Sequence, residues 1–201
     1  MEKALGVRET KRRETHERIA EAGMRLFLER GYEETTLDAI AEAAGISRRT
    51  FFYYFASKDD ILLTWNNAGA VPEALKVALI REASNSTPLE AANRCLVDMA
   101  SQFESPESRT IDALLRSSDA LRSRKDAIFV SLEADLANAL MAAWPEEGQQ
   151  AMCRTTAMIA MGVLRLARED WLAGDTQRPL AEYLRNGFAA VHEVTNLDGV
   201  R

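Results

Sequence analysis

Arg48, Arg49, Phe52 and Tyr53 are the residues of this chain whose types and spacing point most directly to chemistry. Phe51 and Phe55 lie four apart among them, so in a helix both rings fall on one face and pack inward. The two arginines and the other two aromatics are then left together on the opposite face. Such a face suits recognition rather than catalysis: a guanidinium fork matches the O6/N7 edge of guanine, and flat rings fit the major groove. Taken alone, the same pattern also fits a small helical hairpin with a solvated arginine pair and a half-buried aromatic cluster. Nothing in the chain argues for an enzyme. There is no nucleophile with a base partner, no glycine-rich phosphate loop, no carboxylate pair with an evident role and no Cys/His cluster with metal-ligand spacing. No cofactor is expected.

The elements that must position this face are legible around it. Leu37, Ile40, Ala41 and Ala44 recur at helical spacing, Gly45 is suited to the left-handed turn past a helix end, and Ser47 is a natural N-cap for the next helix. Together they predict a helix-turn-helix over residues 36–58. A preceding helix over residues 9–30 carries Ile19, Ala22, Leu26 and Phe27 as its inward stripe and ends at Gly31. Its Lys11-Arg12-Arg13 run reads either as a solvated helix start or as a phosphate or minor-groove contact. Ser57, with Asp60 three residues on, starts a further helix that extends to residue 83, with a kink or break expected near residues 69–71 because of Pro72.

The 201-residue chain is long enough to bury a real core, and no stretch alternates as a strand does, so the expected fold is all-α. Its net charge of −6 is uneven: residues 1–58 hold 11 Lys and Arg against 10 Asp and Glu, or +1, leaving 14 against 21, or −7, for the remainder. A locally basic head on an acidic body is compatible with a nucleic-acid partner and discourages sticking elsewhere. Two domains are expected, a DNA-binding head at 1–57 and a helical body for ligand binding and dimerisation at 58–201. Cys95 and Cys153 are expected as buried free thiols. The charged N-terminus and the lack of a long apolar run predict a cytoplasmic protein with no membrane partner.

In the body, Thr87-Pro88-Leu89-Glu90 combines an N-cap, a proline at the first helical position and a capping-box glutamate. Leu89, Ala92, Leu96, Met99 and Phe103 form the stripe of that helix. A next helix starts at Ser105-Pro106, with Ile111, Leu114 and Leu115 inward. A polar junction is expected over residues 122–125, then a longer helix on Ile128, Leu132, Leu136 and Leu140 that stops at Trp144-Pro145. The last two helices, 148–173 and 179–195, carry more apolar surface than a solvated edge needs. They are read as a subunit interface through Ile159, Val163, Leu166, Leu184 and Phe188, or else as the completion of a monomeric bundle. Four of the seven methionines fall between 141 and 161. Met158 and Met161, with Phe103, Phe129, Trp144 and Trp171, are expected either to line an adaptable apolar pocket or to form ordinary core.

Gly31-Tyr32, Thr35-Thr36, Ala44-Gly45-Ile46-Ser47, Tyr54-Phe55 and Ser57-Lys58 closely resemble the N-terminal domain of TetR-family transcriptional regulators, over about residues 9–62. That resemblance implies a homodimer on a palindromic double-stranded DNA operator, a repressor released by a small-molecule inducer. It makes Arg48 and Arg49 base readers, joined by Tyr53 and Phe52, and gives phosphate contacts to Thr36, Ser47, Thr50, Tyr54 and Lys58. The chain departs from the pattern at Phe52, where many relatives have tyrosine, and in lacking their glycine near residues 49–50. Their base preferences therefore do not transfer. GISRRTFFYYF, LRLAREDWLAG and PLAEYLRNGFAAV are similar to an acyl-CoA-responsive branch, which implies an apolar tunnel with Arg116, Arg122 or Arg124 near its mouth. The competing readings are a helical small-molecule-binding protein and a constitutive regulator without inducer.

Overall fold

The structure, a computed structural model, describes residues 2–64, 71–104, 108–116, 119–146, 148–174 and 178–195, with side chains for all of these except 2–8, 63–64, 71–74, 102–103, 120 and 124. Ten α-helices and two short 3-10 turns make up the described chain, and it contains no strand. The helices are α1 (Glu2–Arg30), α2 (Leu37–Ala43), α3 (Arg48–Tyr54), α4 (Lys58–Thr64), α5 (Val71–Glu82), α6 (Pro88–Met99), α7 (Ser108–Arg116), α8 (Asp119–Ala143), α9 (Gln150–Ala173) and α10 (Leu180–Thr195). The kink expected near residues 69–71 falls partly outside the described residues; α4 ends at Thr64 and α5 begins at Val71.

Local signals account for most of these boundaries. Thr36 caps α2 by accepting from Ala39 N at 3.1 Å, and Ser47 caps α3 by accepting from Thr50 N at 3.1 Å. Between them Gly45 stands at φ 65°. Its amide donates to Glu42 O at 3.0 Å and that of Ile46 to Ala41 O at 2.9 Å, a paired closure that satisfies the last carbonyls of α2. Asp60 accepts from Ala56 N and Ser57 N at 2.8 and 3.1 Å and so closes the start of α4. Thr87 and Glu90 form the expected capping box ahead of α6.

One boundary differs. The polar junction expected at 122–125 lies inside α8, which already starts at Asp119. Arg122 pairs there with Asp119 and also donates to Arg116 O at 2.7 Å. A polar run without glycine or proline is a solvated helical face, not a break, and an acidic residue in the first turn favours the helix dipole.

Two hydrophobic cores result. The head core holds Ile19, Met24, Phe27, Tyr32, Ile40, Phe51 and Phe55, and it takes in Ile61 and Leu62 of α4 together with Ile111, Leu115 and Leu121. It therefore does not stop at residue 57. The body core is built from α5, α6, α8, α9 and α10, with Leu79, Leu96, Leu136, Leu140, Ala160, Leu184 and Phe188 at its centre. Cys95 and Cys153 are buried free thiols within it. Burial pushes the Cys95 thiol up to about 11, with Glu82 and Asp98 adding to it, so it stays protonated and inert.

The α9–α10 contact is close enough to be tested. A Cβ at Gly187 would lie 2.7 Å from Val163 Cγ1, a buried methyl on a side chain with a stiff χ1. Gly187→Ala gains about 1 kcal/mol of helix propensity but forces an overpacking cost of about 1–3 kcal/mol. The expected result is a net loss of stability on thermal unfolding, relieved when Val163→Ala is added.

Candidate nucleic-acid interface

The α3 helix divides its side chains sharply. Phe51 and Phe55 are 0% and 3% exposed, with ring centroids 5.8 Å apart, whereas Phe52 and Tyr53 are 49% and 69% exposed. Arg48 and Arg49 are exposed beside them. Burying one face completely fixes the rotation of a seven-residue helix that would be marginal alone. The opposite face is thereby held outward.

The two arginines are not equivalent. Arg48 reaches Asp38 on α2, Nη1 to Oδ2 at 3.1 Å, and lies 5.9 Å from the centroid of the Phe52 ring. Both members of that ion pair are largely exposed, so it is worth little and is easily exchanged. Arg49 has no ion pair or hydrogen bond among the described residues. Tyr53 is covered on one side by the Arg12 guanidinium, 5.9 Å from its ring centroid, which ties the basic run of α1 to the exposed face of α3.

Arg12 and Arg13, with Glu9, Thr10, His16 and Tyr54, line a cleft of about 600 Å³ beside α3. His16 stacks on Phe55 at 4.4 Å and meets Tyr54 edge-on at 6.5 Å. Its place three residues before Ile19 puts it on the inward stripe of α1, a spacing from which it is recoverable in sequence. Burial lowers the His16 pKa, against the pull of Glu17 and with help from Arg12. The unfolded chain thus takes up this proton first. The neutral ring's contribution to stability is complete above the ordinary histidine value of about 6.5 and is lost as pH falls below it.

Among the residues expected at phosphate, Thr36 and Ser47 are exposed caps, Ser47 Oγ and Thr50 Oγ1 lie 2.8 Å apart, and Tyr54 is half-buried. Lys58 is placed differently. Its ammonium donates to the carbonyls of Tyr32 at 2.7 Å, Thr35 at 3.2 Å and Glu33 at 3.4 Å, and it lies 4.2 Å from the Tyr32 ring centroid. It is a clamp on the turn between α1 and α2. That turn is further held by the buried Thr35, whose hydroxyl reaches Gly31 O at 2.7 Å and Leu26 O at 3.2 Å, and by the Tyr32 hydroxyl donating to Asp59. Neither role has a sequence signal, since both depend on chain segments brought together from a distance.

The residues expected to form a ligand pocket do not all converge. Met161 belongs to the body core, with Phe129, Trp144 and Trp171 half-buried against it. Met158 points outward at 55% exposure, and the Phe103 side chain lies outside the described residues. Among the cations expected at a tunnel mouth, Arg116 and Arg122 are exposed and paired, and the Arg124 side chain is likewise outside the description. The expected interface residues divide as well. Val163, Leu184 and Phe188 are 6%, 0% and 1% exposed inside the chain's own core, which leaves them little surface to offer a second chain. Ile159 is half-buried and Leu166 exposed, in line with Met152 and Met158 along the outer face of α9.

A three-helix head with a capped helix-turn-helix, carried on a separate helical core, defines the helix-turn-helix class of regulators. No described helix is long and apolar enough to cross a membrane. Residues 19–64 match the family of bacterial regulatory proteins, tetR family. The chain is 34% identical over 110 residues to the transcriptional regulator TcmR of Streptomyces glaucescens, covering 55% of this chain and 48% of that one. It is 43% identical over 51 residues to the mycofactocin biosynthesis regulator MftR of Mycobacterium tuberculosis, putatively so described, covering 25% and 26%. The chain thus spans about half or less of the curated relatives it matches. Among solved structures, Thermus thermophilus FadR, a repressor in complex with lauroyl-CoA, is similar at TM-score 0.59 and 27% identity over 89% of this chain and 93% of that one. FadR of Bacillus halodurans shares the fold, at TM-score 0.58 and 21% identity over 93% and 96%. Over residues 19–64 the chain is thus similar to the TetR family of regulators, and the relatives it matches are transcriptional regulators.

Proposed function

We propose that the chain acts as a homodimeric repressor that reads a palindromic DNA operator and is released by an acyl-type apolar ligand. The observation that carries the DNA-reading part is the outward face of Arg49, Phe52 and Tyr53 on a helix whose other face is fully buried. Arg49 is the principal base reader, and Arg48 joins it by exchanging its exposed pair with Asp38 for a base edge. The hydroxyls of Thr36, Ser47, Thr50 and Tyr54 position the backbone, and Lys58 serves them by holding the turn behind α2. One head covers few base pairs, so useful specificity requires two heads about 34–36 Å apart on DNA. The outer face of α9, with Met152, Met158 and Leu166, and the exposed Val194 of α10 supply apolar surface for pairing two copies.

The acyl-type ligand is supported by the likeness to the lauroyl-CoA-bound FadR of Thermus thermophilus. By linkage, a ligand that weakens operator binding by some factor is itself bound less well on DNA by the same factor. Fluorescence anisotropy with operator fragments tests the reading. Two protomers per site are expected. Arg49→Ala should relax preference at one position per half-site by about 1–3 kcal/mol, with a smaller effect from Arg48→Ala. A stoichiometry of one protomer, or equal loss on every sequence, would remove the operator-reading dimer.

A further inference from the structure

Glu9, Arg12, Arg13 and His16 recur at i, i+3, i+4 and i+7 along α1, so the four side chains lie on one side of that helix. The last of them is pinned. His16 is half-buried, stacked on Phe55 at 4.4 Å and edge-on to Tyr54 at 6.5 Å. Because α1 is continuous over this stretch, that contact carries the other three to the C-terminal end of α3. There they wall the cleft of about 600 Å³, with Tyr54 on its α3 side.

Two features select the class of ligand. Glu9, Thr10, Arg12 and Arg13 are all exposed, so the cleft is open along α1. A small apolar molecule needs a site that encloses most of its surface, whereas a strand that runs past needs an open one. The cations are also lightly held. Arg13 pairs with Glu17 at 3.7 Å, but both side chains are more than half exposed, and such a pair is worth little. Arg12 has no ion pair among the described residues, and its guanidinium lies 5.9 Å from the centroid of the Tyr53 ring. That ring is exposed on the outward face of α3, so the cleft borders the face directly. The walls of a major groove are its two sugar-phosphate backbones, and a helix lying in the groove brings whatever borders it against one of them.

We propose that this cleft seats one backbone phosphate of the DNA, gripped by Arg12 and Arg13 and joined by Tyr54. The proposal rests on the DNA-reading part of the function above and adds to it a contact from α1. A guanidinium fork matches two phosphate oxygens, with charge reinforcing both hydrogen bonds. No base edge takes part, so the seat fixes the register of the head without reading sequence. Glu9, a carboxylate on the same wall, opposes the phosphate.

Anisotropy titrations of the full chain over a range of salt, on an operator selected by the chain from random duplexes and on a random duplex of equal length, test it. The proteins compared are wild type, the double variant Arg12→Gln/Arg13→Gln, and Glu9→Gln. The double variant should lose roughly 10-fold or more in affinity on both duplexes, and its slope of log K against log salt should fall by about 1 per head. Both altered side chains are exposed, so it should melt with the wild type. Glu9→Gln should bind both duplexes more tightly, a gain that misfolding does not produce. A methylphosphonate scan of the operator, which neutralises one backbone phosphate at a time, locates the seat. The wild type should weaken at one step per half-site to which the double variant is indifferent. An unchanged slope in the double variant, a loss confined to the operator, or a scan in which both proteins weaken at the same steps overturns the seat. So does a Glu9→Gln protein that binds no more tightly than wild type. A site for free phosphate ions would give that unchanged slope and scan. If the wild type prefers its operator while the double variant keeps the full slope, the seat fails and the DNA-reading proposal stands. If the wild type shows no sequence preference yet the double variant loses slope on random duplex, the seat stands and operator reading fails. Absence of binding to any duplex sinks both.

Discussion

Phe51→Ala is expected to cost the head about 3–5 kcal/mol, the range for a fully buried phenylalanine. Its ring is 0% exposed and lies in the head core, with centroids 5.6 Å from Phe52 and 5.8 Å from Phe55. A seven-residue helix has no independent stability to fall back on, so loss of this contact releases α3 rather than merely loosening it. Set against a typical domain stability of about 5–15 kcal/mol, the loss is large enough to separate the head from the body in a melt. In a Trp65→Phe background, which leaves Trp144 and Trp171 as the fluorophores, urea unfolding should become biphasic, an early loss of helical circular dichroism preceding the change in fluorescence from these two residues, which pack on the body core. Sequence-specific DNA binding should vanish with the first phase. A single coincident transition by both probes would show that the two cores unfold as one unit through Ile111, Leu115 and Leu121.

Lys58→Met is the second large effect, and it separates two roles for the same cation. As a clamp, Lys58 loses charge-assisted bonds to three carbonyls and its place 4.2 Å from the Tyr32 ring centroid. Hydrogen bonds to charged groups contribute about 1.5–3 kcal/mol, and partial exposure places the expected destabilisation of the head near 2 kcal/mol. DNA affinity should be nearly unchanged well below the melting temperature and fall only as the destabilised head begins to unfold, while the slope of log K against log salt is unchanged. As a phosphate contact, the same change would leave stability alone and reduce that slope by about 1. Chemical denaturation and a salt titration of operator binding on one preparation decide between them.

Much of the head is readable residue by residue because its determinants are short-range. Ser47, Gly45 and Thr36 act on amides and carbonyls within a few positions, and Phe51 and Phe55 select a face by spacing alone. The same holds in the body for the Thr87–Glu90 box. Interpretation failed where a pattern had two physical meanings: the polar run at 122–125 is a solvated face of α8 rather than a break. Val163, Leu184 and Phe188 show the limit from the other side. Their periodicity correctly marks buried faces, but periodicity does not say whether the surface that buries them belongs to the same chain or to a second one.

The amino-acid sequence by itself determined the all-α class, the capped helix-turn-helix and the outward set of Arg48, Arg49, Phe52 and Tyr53, because caps, glycine turns and helical periodicity act over one or two turns of chain. Only the tertiary structure decided which cations remain available. Lys58 is taken by carbonyls some 23–26 positions away, Arg48 by Asp38, and Arg116 and Lys125 by the buried Asp112. Charge identity is local, but whether a charge meets carbonyl, carboxylate or solvent depends on how distant helices pack.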